Sequence, residues 1–515
     1  MAAIESIAAQ APPVDGAVQW PVVVAVVLTA VLQVLDSTIV NVALPYMQAA
    51  FGIAADQTTW ILTSYIVAAI VVMPLTGLFV RGFGRRRLII SAIVGFTLFS
   101  AFCGLAENIE TMVICRLGQG LFGAFLIPLS QSTLLNAFPR DQRGQAMAMF
   151  GLGVIVAPIL GPTLGAALTE HFSWRAVFYV NVPIAAFALM MISGELPRDE
   201  PQKVVIDWTG LVLMVLAIGG LQFVLDQGET RDWFDSRVIQ IFALVAALSA
   251  VLFVVRGWRL DTNIIDFRLL RDRSFASANL AMLGFGLALY GTIAMLPLFV
   301  QGLLDYPVLD AGYLFVPRGL GAAFSMLLTG SVLMKRFDPR LLVATGLLCN
   351  GVGSLALSWL SLEASFWQLA LPGVISGLGM GLFFVPMSTV AFQNFGADRQ
   401  DEASGIYSVM RSLGSSVGIA IVGWQLVRST QRHWHDLAAH VTLFNPAVHE
   451  FLRPFAVAPS SSKAAALLAA QVAAQAQMLA FQDVFLLTGI AAIVMLPLVL
   501  FMQKPQTAGG PMLAR

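Results

Sequence analysis

The chain has 515 residues, of which 58% are hydrophobic and only 11% charged, with a mean hydropathy of +0.81 and no net charge. This composition excludes a soluble domain, in which about a quarter of the residues are charged, and the zero net charge gives no indication of a nucleic-acid partner. Repeated apolar windows of about 20 residues predict an all-α polytopic membrane protein; a β-barrel would show shorter, alternating segments.

About fourteen membrane spans are expected when hydropathy is followed in windows of about 19 residues. The first six are predicted near residues 20–45, 58–80, 88–106, 112–136, 145–168 and 176–193. Two more, near 208–225 and 237–255, lie between a polar break at 195–207 and a basic break at 256–273. The last six are predicted near 277–302, 310–332, 341–360, 366–392, 404–427 and 484–502.

The loops alternate in Lys and Arg content along the chain. A cluster of arginines at 81–87 follows the second span, whereas the short loops at 106–111, 303–309 and 361–365 contain neither Lys nor Arg. Because basic loops stay on the cytoplasmic side, both termini are expected in the cytoplasm. The segment before Trp20 has no basic residue, so the first span is expected to be retained, not cleaved as a signal.

Short motifs recur at a constant offset in the two parts of the chain. The recurring residues are Pro128, Ser130 and Asn136, which return as Pro386, Ser388 and Asn394. Parallel repeats of this kind are typical of secondary transporters. The predicted organisation is a cytoplasmic tail at 1–19, a six-helix half at 20–193, a linker with two extra helices at 194–276, a second six-helix half at 277–502 that includes an external loop at 428–482, and a cytoplasmic tail at 503–515.

Four charged residues fall inside predicted spans: Asp36, Arg116, Arg318 and Arg411. A charge at that depth costs at least a few kcal/mol and marks a functional site by default. Asp36 is expected to meet Arg116 across the first and fourth spans, as a proton switch or as a fixed structural ion pair. Arg411 is expected to serve proton coupling or substrate binding, with helix packing as the alternative. Arg318 lies near the start of a span, where snorkelling or capping is expected.

A basic turn joins the second and third predicted spans. Gly77 and Gly84 allow the chain to reverse, and Arg81 and Arg85 anchor the turn to the cytoplasmic face. The turn is predicted to bridge helices that move during transport. Topological anchoring alone is the alternative.

The fifth predicted span combines small residues with prolines. Gly161 and Gly165 allow close helix approach, while Pro158 and Pro162 free backbone carbonyls and kink the helix. The pattern suits a helix that flexes or seals during transport. Simple helix packing explains it equally well.

Several motifs resemble those of the fourteen-span EmrB/QacA-like drug:proton antiporters of the major facilitator superfamily, the EmrB type above all. They are LDSTIVNVALP at 35–45, RLGQG at 116–120, IPLSQS at 127–132, GPTLGA at 161–166, the segment 174–183 and RSLGSSVG at 411–418. The resemblance implies a major facilitator fold of two six-helix halves plus two central helices, proton transfer linked to Arg116, and no cofactor, with the proton gradient as energy source. Arg81 stands where the wider superfamily has an Asp, so a charge relay built on that acid is not implied here.

The predicted function is proton-coupled efflux of hydrophobic or amphipathic drug-like compounds by alternating access around a midplane cavity. Asp36 set against three arginines favours neutral or weakly acidic substrates. Polar and aromatic residues within spans are the candidate cavity lining: Gln33, Asn41, Gln119, Gln131, Tyr290 and Phe299. The alternative is a dedicated exporter of one endogenous metabolite, such as a siderophore, fatty acid or lipid precursor.

Two other classes of protein fit poorly. An intramembrane enzyme needs a catalytic set at depth, and no His-Glu-x-x-His or Ser/His pair is present there. The three cysteines lie in apolar runs and form neither a disulfide pattern nor a metal site. A sensor without transport would usually add a soluble signalling domain, for which the loops and tails are too short.

The external loop predicts a helix of its own. Serines at 460–462 precede an Ala/Leu/Gln-rich stretch that ends at Phe481, which favours a capped surface helix of about five turns. Because similar exporters work with a periplasmic adaptor (a membrane fusion protein) and an outer-membrane channel, the resemblance implies that this loop meets the adaptor. A spacer over the periplasmic mouth is the alternative.

Overall fold

A computed structural model of the chain describes residues 19–139, 142–195, 201–204, 206–259 and 265–502. These residues are almost entirely helical, and no β-strand occurs among them. The fold is the predicted all-α membrane bundle. Most of both predicted tails, at 1–18 and 503–515, lies outside the described residues.

Among the residues that the structure describes, the N-terminal half contains nine α-helices, several of which are pieces of one span. They are α1 (Trp20–Phe51), α2 (Ala55–Val72), α3 (Thr76–Phe83), α4 (Arg85–Leu105), α5 (Ile109–Gly123), α6 (Leu126–Ala137), α7 (Arg143–His171), α8 (Ala176–Tyr179) and α9 (Asn181–Glu195). The central helix is α1, which packs against α6, α7 and α9. The site residues of α1 are therefore surrounded by helices of the same half.

The remaining helices form an extra pair and the C-terminal half. The extra pair is α10 (Trp208–Gln227) and α11 (Arg237–Arg259). The C-terminal half contains α12 (Arg273–Gly302), α13 (Val308–Tyr313), α14 (Phe315–Leu328), α15 (Met334–Arg336), α16 (Pro339–Leu357), α17 (Phe366–Phe392), α18 (Ala397–Ala438), α19 (Pro446–Leu452) and α20 (Ser462–Val494). A π-helical turn at Thr329–Leu333 joins α14 to α15.

The number of spans agrees with the sequence prediction of about fourteen. Within the described residues, 13 helices are long and apolar enough to cross a membrane, and a shorter apolar helix covers Ala176–Ile192. That shorter helix corresponds to the predicted span at 176–193. The helices that could span the membrane therefore follow one another in the order of the predicted spans.

The extra pair docks on α2 through polar contacts. The Thr63 hydroxyl of α2 donates a hydrogen bond to the Asp226 carboxylate of α10, and the Gln227 amide donates to the Thr59 hydroxyl over 3.3 Å. α10 also contacts α18 of the C-terminal half. The pair thus lies beside the junction of the two halves, and Asp226 is a charged residue within a span that the sequence analysis did not single out.

The last span is longer than predicted. The sequence places a surface helix before Phe481 and a separate span at 484–502, but α20 runs without interruption through both, and a 3-10 turn at Leu496–Phe501 follows it. The polar residues between them are satisfied: Nε2 of His433 lies 2.9 Å from Oδ2 of Asp483, and the Gln482 amide donates to the Leu360 carbonyl over 2.7 Å. The predicted serine cap is present, since Ser461 Oγ accepts from the Ala464 amide over 3.1 Å.

We define the basic end of the bundle as the end that carries the arginine-rich turn Arg81–Arg87. At this end, α18 packs on α3 and α6, and α7 packs on α14 and the π turn. The backbones approach closely, because a Cβ atom on Gly405 would lie 2.8 Å from the Met73 carbonyl oxygen. The seam between the two halves is therefore closed at the basic end.

Candidate functional site

Asp36 is a fully buried carboxylate at the centre of the N-terminal half. Its Oδ2 accepts a hydrogen bond from Arg116 Nη1 over 2.8 Å. Its Oδ1 accepts from Gln119 Nε2 over 2.8 Å and from Asn181 Nδ2 over 2.7 Å. The predicted contact between Asp36 and Arg116 is present, and each carboxylate oxygen has at least one donor. Such saturation stabilises a charge that would otherwise be costly at this depth.

Arg116 is held from several sides. Its Nε donates to the Ile61 carbonyl over 3.1 Å and its Nη1 donates to Gln119 Oε1 over 2.7 Å, in addition to the bond with Asp36. The guanidinium lies 4.3 Å from the centroid of the Tyr65 ring, a cation–π geometry. Arg116 and Gln119 are three residues apart on α5, so both side chains project from one face of that helix. Gln119, predicted as a cavity residue, is thus part of the Asp36 cluster.

Asn181 is a component that the sequence analysis did not assign to the site. It begins α9, and its Nδ2 also lies 3.0 Å from Ser100 Oγ, which in turn donates to the Phe178 carbonyl over 2.8 Å. The sequence motif at 174–183 was recognised, but nothing in it indicated that the side-chain amide of Asn181 would bind Asp36. Asn181 ties α9 and α4 to the carboxylate on α1, so a change at Asp36 reaches four helices of this half.

The other predicted polar cavity residues lie at different depths of the N-terminal half. Gln33, one turn before Asp36, is buried and accepts from the Ile127 amide of α6 over 3.1 Å. Gln131, one turn further on α6, is also buried, and its Oε1 has no hydrogen-bond partner. Asn41 is exposed, and its amide bonds only to the Ser37 carbonyl of its own helix.

The two predicted aromatic cavity residues are separated from the Asp36 cluster. Tyr290 is half-buried and packs on the main apolar core. Phe299 belongs to a second apolar cluster, where its ring lies 5.2 Å from that of Phe481 and 5.9 Å from that of Phe485. The structure therefore places the Phe299 ring at the contact of α12 with α20 within the C-terminal half, away from the position expected for a lining residue.

The small residues of α7 pack directly on the Asp36 segment of α1. A Cβ atom on Gly161 would lie 2.9 Å from Thr38 Cβ, and one on Gly165 would lie 2.9 Å from the Ile39 carbonyl oxygen. Pro158 and Pro162 both lie inside the helix. Close packing of these two helices is only possible without side chains at the two glycines. α7 is thereby coupled mechanically to the segment that carries Asp36.

The basic turn binds acids of the other half. Arg81 Nη1 lies 3.1 Å from Glu402 Oε2, and Arg85 Nη2 lies 2.7 Å from Asp401 Oδ2. Both acids are buried at the start of α18, although they are 321 and 316 residues from their arginines in the chain. Gly84, with φ of +82°, makes the turn between α3 and α4 possible. The turn is therefore part of the closed seam and not only a surface anchor.

Gly77 fixes how closely the seam can close. A Cβ atom at this position would lie 2.6 Å from Glu402 Cβ, so any larger residue would push α3 and α18 apart. Glu402 Oε1 also accepts from the Asp266 amide over 2.8 Å. The sequence motif and the acid on α18 are thus parts of one contact.

Two buried arginines of the C-terminal half have no acid partner among the described residues. Arg411 and Arg318 are 7% and 5% exposed, and neither forms a hydrogen bond or ion pair with the residues that the structure describes. The expected snorkelling or capping role of Arg318 is wrong, because its side chain is only 5% exposed and forms no hydrogen bond with a described residue. The C-terminal half therefore contains uncompensated positive charge.

Comparison with known proteins gives the same fold and a group of relatives. The model for the Major Facilitator Superfamily matches residues 26–419. Multidrug export protein EmrB of Haemophilus influenzae is 32% identical over 510 residues, which cover 96% of this chain and 98% of that protein. Fatty acid resistance protein FarB of Neisseria gonorrhoeae is 31% identical over 505 residues, covering 97% and 99%.

A solved structure supports the fold at lower sequence identity. The human organic anion transporter MFSD10 (TETRAN) superposes with a TM-score of 0.57 at 15% identity, covering 94% of this chain and 100% of that one. At this level of identity the likeness concerns the fold alone. Together with the family match and the full-length relatives, it shows that the chain is a membrane transporter of the major facilitator superfamily, related to the EmrB-type multidrug exporters.

Proposed function

We propose that the protein exports hydrophobic or amphipathic, neutral or weakly acidic compounds across the inner membrane in exchange for protons. The observation that carries this proposal is the buried Asp36 cluster, in which one carboxylate is held by three donors from α5 and α9. A bound proton would remove the charge that these donors neutralise. Proton occupancy would thereby be coupled to the arrangement of the helices.

The chemical consequence of protonation is a competition at Arg116. A neutral Asp36 no longer offsets the guanidinium, and leaving one charge of a buried pair uncompensated costs about 3–5 kcal/mol. Arg116 keeps its contacts with the Ile61 carbonyl and Gln119. Its uncompensated charge, however, favours a move of the guanidinium towards water or another anion. Such a bias of a few kcal/mol is enough to shift a two-state equilibrium strongly.

The packing offers a route from Asp36 to the seam. α1 contacts α7 at Gly161 and Gly165, and α7 contacts α14 and the π turn of the other half. A displacement of α1 would therefore press on a helix that takes part in closing the basic end. This contact chain supports alternating access, in which one half rocks against the other around a central site.

The distribution of basic residues supports an orientation with the basic end and both termini in the cytoplasm. In that orientation the closed seam separates the transport site from the cytoplasm. The state described here would then be the one that releases substrate outward and receives protons.

Charge supports the proposed substrate class. Asp36 is already neutralised by Arg116, while Arg318 and Arg411 have no acid partner among the described residues. A cavity near these groups would repel cations and accept neutral or anionic molecules. The printed name of the FarB relative concerns fatty acid resistance, which suits a weak acid with an apolar body.

The same relative also supports the alternative function, a dedicated exporter of one endogenous metabolite such as a siderophore, fatty acid or lipid precursor. The proton-coupling machinery would be identical in both cases. A response to only one chemical compound in the assay below would favour the dedicated exporter.

The test is proton release in everted membrane vesicles with a preset pH gradient. Hydrophobic weak acids, neutral compounds and lipophilic cations are added in turn, and collapse of the gradient is followed by fluorescence. Weak acids carry protons themselves, so vesicles without the protein provide the background. We expect release above background for neutral or acidic compounds. No release above background with any compound tested would contradict proton-coupled export.

We also propose that the external region between α18 and α20 contacts a periplasmic adaptor, which leads to an outer-membrane channel. Phe444 is 94% exposed there, beside a cavity of about 310 Å³ lined by Trp434, Leu443, Leu468 and their neighbours. Exposed aromatic residues beside an apolar cavity are typical of protein interfaces.

A cysteine at position 444 tests both the orientation and this contact. We expect a membrane-impermeant maleimide to label Phe444→Cys from the periplasm. Co-expression of the adaptor is expected to bury the site and to slow labelling at least about fivefold. A cysteine at the exposed Ser331, at the basic end, serves as the matched control that stays unlabelled. Labelling of both sites, or of position 331 alone, would reject the orientation, and an adaptor without effect would reject the interface.

A further inference from the structure

Arg318 is a buried arginine in a membrane span without a partner for its charge. It is 5% exposed, its Nη2 atom has no hydrogen-bond partner, and it forms no ion pair with any described residue. Arginine does not lose its proton in proteins, so the positive charge persists. An isolated buried charge costs several kcal/mol, and a residue kept at that cost within a membrane indicates a function.

The contrast with Arg116 shows what is missing. Both guanidinium groups lie inside the bundle, but Arg116 has a carboxylate, a carbonyl and an amide oxygen around it. Arg318 has none of these among the described residues. The structure thus supplies the donors of a charge-assisted pair and leaves the acceptor to be supplied from outside.

The segment that carries Arg318 borders both α17 and the other half. Its backbone packs on the glycine face of α17, where the Arg318 carbonyl approaches Gly377 so closely that a Cβ atom would overlap it. On either side along the chain, Gly312 and Met326 approach α7 of the other half, at Thr163 and Gly151 respectively. The segment with Arg318 therefore lies at the seam between the halves, the surface that separates and closes during alternating access.

The seam next to Arg318 is apolar towards the basic end. Met326 lies about 12 Å further along the helix, since eight residues rise about 1.5 Å each. There the Phe150 ring of α7 stacks on the Phe384 ring of α17 at 6.2 Å. A cationic fork about 12 Å from an apolar surface matches a molecule with an acidic head and a long apolar body.

We infer that Arg318 binds the anionic head of the substrate, and that the substrates recognised best are organic carboxylates with an apolar tail. The inference rests on the proposed export function and defines its substrate class further. The guanidinium fork donates a hydrogen bond to each carboxylate oxygen, while the tail lies between the halves. Binding then supplies the missing counter-charge at the seam, whereas Asp36 keeps its own partner.

The test is equilibrium binding of radiolabelled dodecanoate and of dodecanol to the full chain in nanodiscs, with empty nanodiscs as background. A hydrogen bond to a charged group contributes about 1.5–3 kcal/mol, which corresponds to about 10–150-fold in affinity. We expect Arg318→Gln to weaken dodecanoate binding by a factor in this range and to change dodecanol binding less than about twofold. The matched control is Arg259→Gln, an exposed arginine at the basic end.

A second measurement, the shift in Tm caused by dodecanoate, separates a loss of binding from poor folding of Arg318→Gln. Dodecanoate is expected to raise the Tm of the wild type but not that of Arg318→Gln, while Arg318→Lys, which keeps a charge without the fork, retains part of the effect. Equal losses for acid and alcohol, or an unchanged preference for the acid in both variants, would overturn the inference.

The two proposals fail in different ways. Nanodiscs hold no proton gradient, so binding through Arg318 stands even if no proton exchange is found. Conversely, proton release driven by neutral compounds, together with acid binding that ignores Arg318, would leave the antiporter intact and remove this site.

Discussion

Replacing Asp36 with asparagine is expected to abolish substrate-driven proton release in everted vesicles, down to the level of vesicles without the protein, because the amide cannot take up and release a proton at this position. Asparagine keeps the size of the side chain but carries no exchangeable charge. Its amide group would also face the donors of Arg116, Gln119 and Asn181. Asp36→Glu, which keeps the carboxylate at a displaced position, is expected to retain partial activity.

The control for this experiment is Glu110→Gln, an exposed acid in the first turn of the same helix as Arg116. We expect that variant to release protons like the wild type. Asp36→Asn that releases protons at the wild-type rate would exclude this residue from coupling. Attention would then turn to Arg116 and Arg411, the other predicted coupling residues.

A double variant separates coupling from folding. Asp36→Asn alone leaves the Arg116 charge uncompensated, so we expect a lower Tm in detergent than for the wild type. Adding Arg116→Gln removes that charge and is expected to recover part of the Tm. Proton release should stay absent in the double variant, because the proton-binding group is missing whether or not the fold is restored.

The central pair could be predicted from sequence because the physics leaves few choices. An acid and an arginine inside apolar spans of one half must find partners at that depth, and the contact between Asp36 and Arg116 is present. Asn181 could not be found in this way. An uncharged side-chain amide at the start of a helix can form its hydrogen bonds with many different partners. Only the packing of α9 on α1 brings the Asn181 amide to the carboxylate.

The contacts between the halves could not be predicted from the sequence, for a different reason. Glu402 stands at the edge of a predicted span, where an acid normally faces water. Its burial against Gly77 and Arg81 depends on how two distant halves dock, and no local pattern reports that arrangement. Arg318 was misjudged because its burial depends on how α14 packs against the glycine face of α17, which the sequence of its own span does not show.

A disulfide across the seam is expected to stop transport reversibly. A Cβ atom on Gly144 of α7 would lie 3.6 Å from Met334 Cβ of α15, within the range of about 3.5–4.5 Å that disulfides require. The variant Gly144→Cys with Met334→Cys is made in a background in which Cys103, Cys115 and Cys349 are alanine. Oxidation should reduce substrate-driven proton release to the level of vesicles without the protein, and a reducing agent should restore it.

The acids of the seam provide an independent check through the rate of disulfide formation. Exposed ion pairs contribute about 0–1 kcal/mol, but Asp401 and Glu402 are buried, so their loss should weaken the closed state more. We expect Glu402→Gln to slow the reaction severalfold. The matched control is Asp338→Asn, which replaces a helix-capping acid of α16 by another good cap, and it should react at the unaltered rate.

In an alternating-access cycle the two halves must separate at the basic end once per cycle. A disulfide between positions 144 and 334 is therefore expected to block every cycle. The single-cysteine variants, treated with the same oxidant, are expected to keep their activity, which excludes damage by the oxidant itself. Full proton release from a quantitatively cross-linked protein would show that substrate and protons pass without opening this end. A loss of release that the reducing agent restores would instead identify separation of α7 from α15 as an obligatory step of transport.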